Sequence, residues 1–287
     1  MEFRTIVDIA DPGFQIGPCE EILFVGSCFA DSIGRRFQEE KFRATVNPYG
    51  VMYNPASVLH SIERWVADSL ANETSGPGQS SAATATSFPT TAFLTLGTNR
   101  VYRLKESGEI VDNCQKRPQA LFSEEDLSVE ACADYLSQAI SQLRQVNPDI
   151  RIVLTVSPIR YRKYGYHGSQ LSKATLLLAV EKICANLCQS IAYFPAYEIV
   201  NDELRDYRFY APDMLHPSEQ AVEYIWERLV ETYFSDAAKA FLAEWRPLKQ
   251  ALEHKPFHPD SEDYRAFMDK TMLKVAELSE KYPTFAL

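Results

Sequence analysis

The sequence predicts an α/β fold: a flavodoxin-like three-layer α/β/α sandwich around a five-stranded parallel sheet, followed by a C-terminal helical extension. Three observations carry that expectation. Short apolar runs alternate with segments of helical period between residues 21 and 233. The run "IRIVLTV" (150–156) is apolar apart from Arg151 and Thr155, as expected for a parallel strand covered on both faces. A strand–helix alternation of this kind closes into a parallel sheet with helices on both sides.

Taken in order, Glu21 to Val25 reads as a buried strand, and Phe29, Ile33 and Phe37 then share one helical face. Arg43 to Val46 is a short strand ending at "NPYG". Asn54 is placed to cap a helix with Pro55 at its first position, running to about Leu70. Thr91 to Leu96 is the third strand, and "VYRLKESGEIVDNC" reads as a hairpin turning at Ser107-Gly108. Leu127, Ala131, Tyr135, Ala139, Leu143 and Val146 keep helical spacing. After "IRIVLTV" a helix is expected from about Leu171 to Gln189, then a fifth strand at "IAYF". The last helix of the alternation starts at Pro217 and buries Val222, Ile225, Trp226, Leu229 and Tyr233.

Two stretches stand outside the pattern. Residues 72–90, rich in Ser, Thr, Ala and Gly, have too little to bury and read as a surface excursion or a disordered loop. Residues 236–287 form two amphipathic helices, one striped by Phe241, Trp245, Leu248 and Leu252, the other by Tyr264, Phe267, Val275 and Leu278. Those stripes are expected to pack on the sandwich or to form a homodimer. The division is therefore residues 1–235 for the sandwich and 236–287 for the extension.

Composition excludes several classes. With 287 residues, 46% hydrophobic, the chain can bury a full core, and its net charge of −10 argues against a nucleic-acid binder, which needs a basic face. No apolar run has the length to span a bilayer, and the N-terminal stretch lacks a secretory core, so a cytoplasmic protein is expected. The six cysteines show neither disulfide-framework nor zinc spacing. No phosphate loop or cofactor motif occurs, so no cofactor and no metal are expected.

Chemistry concentrates in two places. "GSC" ends the first strand, so Ser27 and Cys28 face the carboxyl edge of the sheet, where open parallel sheets bind ligands. Gly26 permits the turn, and the amides heading the next helix can hold a developing oxyanion. In "YAPDMLHPSEQA", Asp213 lies three residues before His216, close enough to bind one imidazole nitrogen and leave the other as a base. Arg160 ends the fourth strand and can face the same edge to hold an anion. The following "YRKYGYHG" is basic and aromatic, a mixture suited to sugars or acidic groups.

With "FVGSCFADSIG", "NPYGVMYNP", "TLGT", "SPIR" followed by "LSKATLLLA", and "DELRDYRFYAPDMLHPS" in order, residues 1–235 resemble the GSCFA family, which is grouped with the SGNH (GDSL-type) hydrolases. The resemblance implies a five-stranded parallel sandwich and an acyl-ester hydrolase working through a covalent acyl-enzyme. The resemblance supplies no substrate; with the basic and aromatic "YRKYGYHG" loop, an acylated sugar or another small ester is the expected one. An acyltransferase of the same mechanism and a non-catalytic binding protein are the alternatives. The superfamily's Gly-Asp-Ser block falls without a gap on Gly26-Ser27-Cys28, which puts Cys28 at the nucleophile's position; a shift by one gives Ser27. The Asp-x-x-His block falls on Asp213 and His216. The oxyanion-hole glycine falls on Gly50, and the Gly-x-Asn block on Gly97 and Asn99, with Asn113 a rival for the asparagine. A thiol at a helix N-terminus beside a histidine is a ready nucleophile, whereas Ser27 needs His216 to activate its hydroxyl.

Overall fold

In a computed structural model, which describes residues 4–74, 88–114, 116–186 and 190–285, the elements follow one another along the chain. It begins β1 (Glu21–Gly26), α1 (Cys28–Glu39), β2 (Arg43–Val46), α2 (Pro55–Thr74) and β3 (Thr91–Leu96). Then come β4 (Arg100–Leu104), β5 (Ile110–Val111), β6 (Phe122–Asp126), α3 (Val129–Val146) and β7 (Arg151–Val156). The rest is α4 (Gly165–Asn186), β8 (Ile191–Tyr193), α5 (Ala196–Glu198), α6 (Glu219–Tyr233), α7 (Asp236–Glu253) and α8 (Glu262–Lys281).

Five strands pair in parallel in the order β2-β1-β3-β7-β8. The alternation along β1 explains the layers. Ile22 and Phe24 belong to one apolar cluster with Phe29 and Phe37 of α1 and Ile225 and Trp226 of α6. Leu23 and Val25 belong to the other, with Ile62 of α2, Leu136 of α3 and Leu176 of α4. A strand buried on both faces has no polar side to show, which is why its sequence reads as an unbroken run. The expected sandwich is the observed one.

The C-terminal helices are not a separate body. Phe241 and Trp245 of α7 lie in the same cluster as β1 and α1, with Phe241 edge-on to Phe42 and the Trp245 indole donating to the Glu39 carbonyl (3.3 Å). Val275 and Leu278 of α8 close over α7.

Several boundaries differ from expectation. Gly108 turns the β4–β5 hairpin at φ +73° as anticipated, but β6 lies outside the expected elements, and it pairs with β4 to make a small antiparallel sheet. Its sequence, FSEED, has one buried residue and four exposed ones, so it carries no apolar period. Helix α4 begins at Gly165, six residues before Leu171, and thus takes in His167. Helix α6 begins at Glu219 because the Ser218 hydroxyl caps it, accepting from the Ala221 amide. Most of the excursion expected at 72–90, residues 75–87, lies outside the described residues.

Candidate active site

The turn after β1 is built from four tethers. A Cβ on Gly26 (φ +148°) would overlap the Thr95 carbonyl, so only glycine lets β1 approach β3 this closely. The Gly26 amide donates to the Asn47 side chain (2.8 Å), and the Asn47 amide group donates in turn to Asp31 of α1 (2.6 Å). The Ser27 amide donates to the Thr95 carbonyl (3.0 Å).

Within that turn the two candidate nucleophiles have different surroundings. Ser27 is fully buried and is the N-cap of α1, its hydroxyl accepting from the Phe29 amide (3.3 Å). Cys28 is half-buried and heads the helix, with Sγ 3.6 Å from the Tyr53 hydroxyl. Its own N–H is among those that helix geometry leaves without an intrahelical acceptor.

Around the sulfur stands a group of aromatic side chains. Tyr53 packs edge-on against Tyr161 at 6.1 Å, and the Tyr161 hydroxyl rests on Gly97, where any side chain would collide with it. Burial, then the hydrogen bond to Cys28, pushes the Tyr53 phenol up to about 12, so it stays protonated across neutral pH. Burial raises Tyr161 well above an ordinary phenol.

The acid–base pair sits on the loop between α5 and α6. Asp213 Oδ1 accepts from the Leu215 (2.9 Å) and His216 (3.0 Å) amides, and Oδ2 lies 2.5 Å from His216 Nδ1. The two backbone amides come first in holding the Asp213 carboxyl down at about 2, followed by the imidazole. Asp213 is therefore ionised throughout the neutral range, and it fixes the tautomer that carries its proton on Nδ1. Both side chains are open to solvent, His216 44% and Asp213 45% exposed. Arg160 stitches this loop to the end of β7: its amide donates to the Leu215 carbonyl (3.1 Å) and its guanidinium to that of Met214 (3.2 Å). The guanidinium also lies over the rings of Tyr166 (4.3 Å) and Tyr210 (5.1 Å). Since Tyr161 follows Arg160 in the chain, the histidine loop and the tyrosine group at Cys28 are anchored on adjacent residues.

The remaining candidates are differently disposed. Gly50, at φ +91°, uses its amide on the Asn47 carbonyl (2.8 Å), and Gly97 uses its amide on the Tyr53 carbonyl (2.8 Å). Asn99 is buried with Nδ2 on the Leu127 carbonyl (2.8 Å), and its backbone amide donates to Ser172. These three hold the edge of the sheet together. Asn113 is exposed beyond β5, next to Asp112, whose carboxylate meets His60 (2.9 Å) rather than the Cys28 turn.

Three residues of this region do not stand out in the sequence: Tyr53, Tyr161 and Lys173. Lys173 is 2% exposed and donates to the carbonyls of Gly97 (2.7 Å) and Ser157 (2.6 Å), tying the ends of β3 and β7. Desolvation lowers its amine to about 7. A signal exists for this one: Lys173 continues the buried stripe of Leu176, Ala179, Val180 and Ile183 on α4, and a lone lysine on an apolar stripe is a buried lysine. Among the described residues no three His, Cys, Asp or Glu side chains are grouped to hold a metal, and no helix is long and apolar enough to cross a membrane.

An open parallel sandwich with a cysteine on the first strand's turn and an Asp–His pair before its last helix is the architecture in hand. The chain belongs to the GSCFA family, whose profile matches residues 21–77 and 78–229, and residues 245–287 match the C-terminal domain of GSCFA domain proteins. No curated protein matches the sequence. Among solved structures, a lipolytic G-D-S-L family member from Veillonella parvula DSM 2008 aligns at 13% identity and TM-score 0.47, over 74% of this chain and 97% of its own. A mutant of an acetyl-xylooligosaccharide esterase from Geobacillus stearmophilus aligns at 15% identity and TM-score 0.44, over 78% and 98%. A carbohydrate esterase family 3 protein from Talaromyces cellulolyticus aligns at 10% and 0.40, over 73% and 94%.

Proposed function

We propose that the chain cleaves small acyl esters through a thioester on Cys28, with His216 as general base and Asp213 as the carboxylate that orients it. The observation that carries this reading is the division of labour between neighbours: Ser27 is buried and committed to capping α1, while Cys28 is half-buried at the helix head. The thiol proton passes to His216 Nε2, since Nδ1 is held by Asp213. Sulfur attacks the acyl carbon, and the tetrahedral intermediate collapses as the imidazolium protonates the departing alkoxide. The same imidazole then activates the acceptor, water in a hydrolase or a hydroxyl in a transferase. The exposed rings of Tyr53, Tyr166 and Tyr207 favour a carbohydrate ester, whose apolar faces stack on aromatics.

The test is stoichiometric. Mixing the protein with p-nitrophenyl acetate should release a burst of one equivalent of nitrophenolate and leave one acetyl group on Cys28 by peptide mass mapping. Cys28→Ala should abolish both. A Cys28→Ala protein with full turnover would overturn the assignment.

A further inference from the structure

A thioester mechanism needs a donor for the oxygen that becomes negative when sulfur adds to the acyl carbon. The groups that family resemblance would place there are engaged: the Gly50 amide on Asn47, the Gly97 amide on Tyr53, and Asn99 Nδ2 on Leu127. What stands beside the sulfur is a phenol, with the Tyr53 hydroxyl 3.6 Å from Cys28 Sγ.

We propose that the Tyr53 hydroxyl is the oxyanion donor of this site, acting with the Cys28 N–H, and that Tyr161 positions it. The inference rests on the acyl-ester reading above. Four observations support it. Tyr53 is 39% exposed, so part of its side chain is open to an incoming ester. Its backbone is fixed, because its carbonyl accepts from both Gly97 and Thr98 (2.8 Å each) and the next residue, Asn54, caps α2 through the Ser57 amide (2.9 Å). Its ring is held edge-on by Tyr161, whose hydroxyl occupies the space that a side chain at Gly97 would fill. Finally, its phenol keeps its proton well past neutral pH, as a donor must.

The electron count is simple. In the resting site the hydroxyl and the sulfur share a hydrogen bond (3.6 Å), and once the sulfur is ionised the hydroxyl is its donor. As the S–C bond forms, the carbonyl π pair moves to oxygen, the negative charge leaves sulfur, and the hydroxyl turns its hydrogen bond to that oxygen without transferring the proton. When the C–O bond to the leaving alcohol breaks, the pair returns to re-form the carbonyl of the thioester. The hydroxyl then swings back.

Two reagents separate this role from a purely structural one. Iodoacetamide alkylates a thiolate by direct displacement and makes no oxyanion, whereas p-nitrophenyl acetate acylates through one. Both rates are measured on Cys28 at a pH where the thiol is fully ionised. Tyr53→Phe should slow acylation by about 10²-fold, with alkylation held within about twofold and an unchanged melting midpoint. Tyr161→Leu, which frees the Tyr53 ring, should slow acylation less and also spare alkylation. Equal changes in both rates, or no change in acylation, would overturn the role of Tyr53. If the unmodified protein is alkylated but never acylated, the acyl-ester reading itself fails, and the oxyanion assignment falls with it.

Discussion

The turn carrying Cys28 and the loop carrying His216 are built in opposite ways. The turn is pinned by long-range contacts: Gly26 against Thr95, Asn47 to both Gly26 and Asp31, and Ser27 under the first turn of α1. The loop is held mainly by bonds within itself, such as the Ala211 amide on the His216 carbonyl and the Asp213 clasp, with Arg160 as its link to the sheet. One half of the pair is rigid and half-buried, and the other is exposed and locally folded. The difference suits the proposed roles: a nucleophile must be presented at a fixed angle, while a base that first takes a proton and then gives it up gains from freedom to turn.

The largest expected effect is on the loop side. Replacing His216 with Ala should reduce acylation of Cys28 by about 10²–10⁴-fold near neutral pH, the usual worth of a positioned general base. Because the turn does not depend on the loop, the melting midpoint should move little. A large drop in stability would break the comparison by showing the loop to be part of the scaffold.

Lys173 extends the rigid side beneath the site. Its amine sits at about 7 when folded and at roughly 10.4 when unfolded. Between those values the unfolded chain binds the extra proton, so this group makes stability rise with pH, by up to about 1.4 kcal/mol per unit. Below about 7 both states are protonated and the slope vanishes. The test is the difference in unfolding free energy between the native chain and Lys173→Met, followed by denaturant titration from pH 7 to 9. The native chain should gain on the variant as pH rises, and a parallel pair of curves would deny that the amine is buried neutral.

How far the sequence reveals each half follows from the same contrast. The strands β1, β3 and β7 are legible because burial on both faces leaves mostly apolar residues, with threonines the buried polar exceptions, and Asp213 and His216 are legible because a local clasp needs only local spacing. Tyr53, Tyr161 and the engaged amides of Gly50 and Gly97 are not. Their roles depend on which strands lie side by side, and no short motif records that. The strand β6 escapes the sequence for a related reason, since it is defined by pairing with β4 while its own residues are charged. The start of α4 is hidden because the two glycines of "YGYHG" look like a turn, although Gly165 (φ +70°) in fact opens the helix.

Asn47 tests the turn directly. It holds a left-handed backbone (φ +40°) and is the acceptor for the buried Gly26 amide. Asn47→Ala leaves that donor unpaired and puts an unfavoured residue in the left-handed region. A loss of about 2 kcal/mol in unfolding free energy is expected. Because the turn presents Cys28, acylation should fall as well, whereas His216→Ala is expected to leave stability alone. A stable but slow Asn47→Ala protein would mean that the turn is held by its other tethers and that Asn47 serves only to aim α1.

The smallest effect is the most decisive for the chemistry. Ser27 and Cys28 are adjacent, and register alone leaves both open as the nucleophile. The Ser27 hydroxyl is buried and accepts from the Phe29 amide, so removing it should cost only the worth of an N-cap, about 1 kcal/mol. Ser27→Ala should therefore melt slightly earlier and still acylate at Cys28 within about threefold of the native rate, since the chemistry lost is a cap and not a nucleophile. Ser27→Gly should recover part of the stability, because glycine is nearly as good a cap as serine and occupies the same extended backbone (φ −67°, ψ 174°) without strain. If instead Ser27→Ala abolishes the burst while Cys28→Ala retains it, the hydroxyl must leave its capping position to attack. The contrast between a buried cap and a presented thiol would then be reversed.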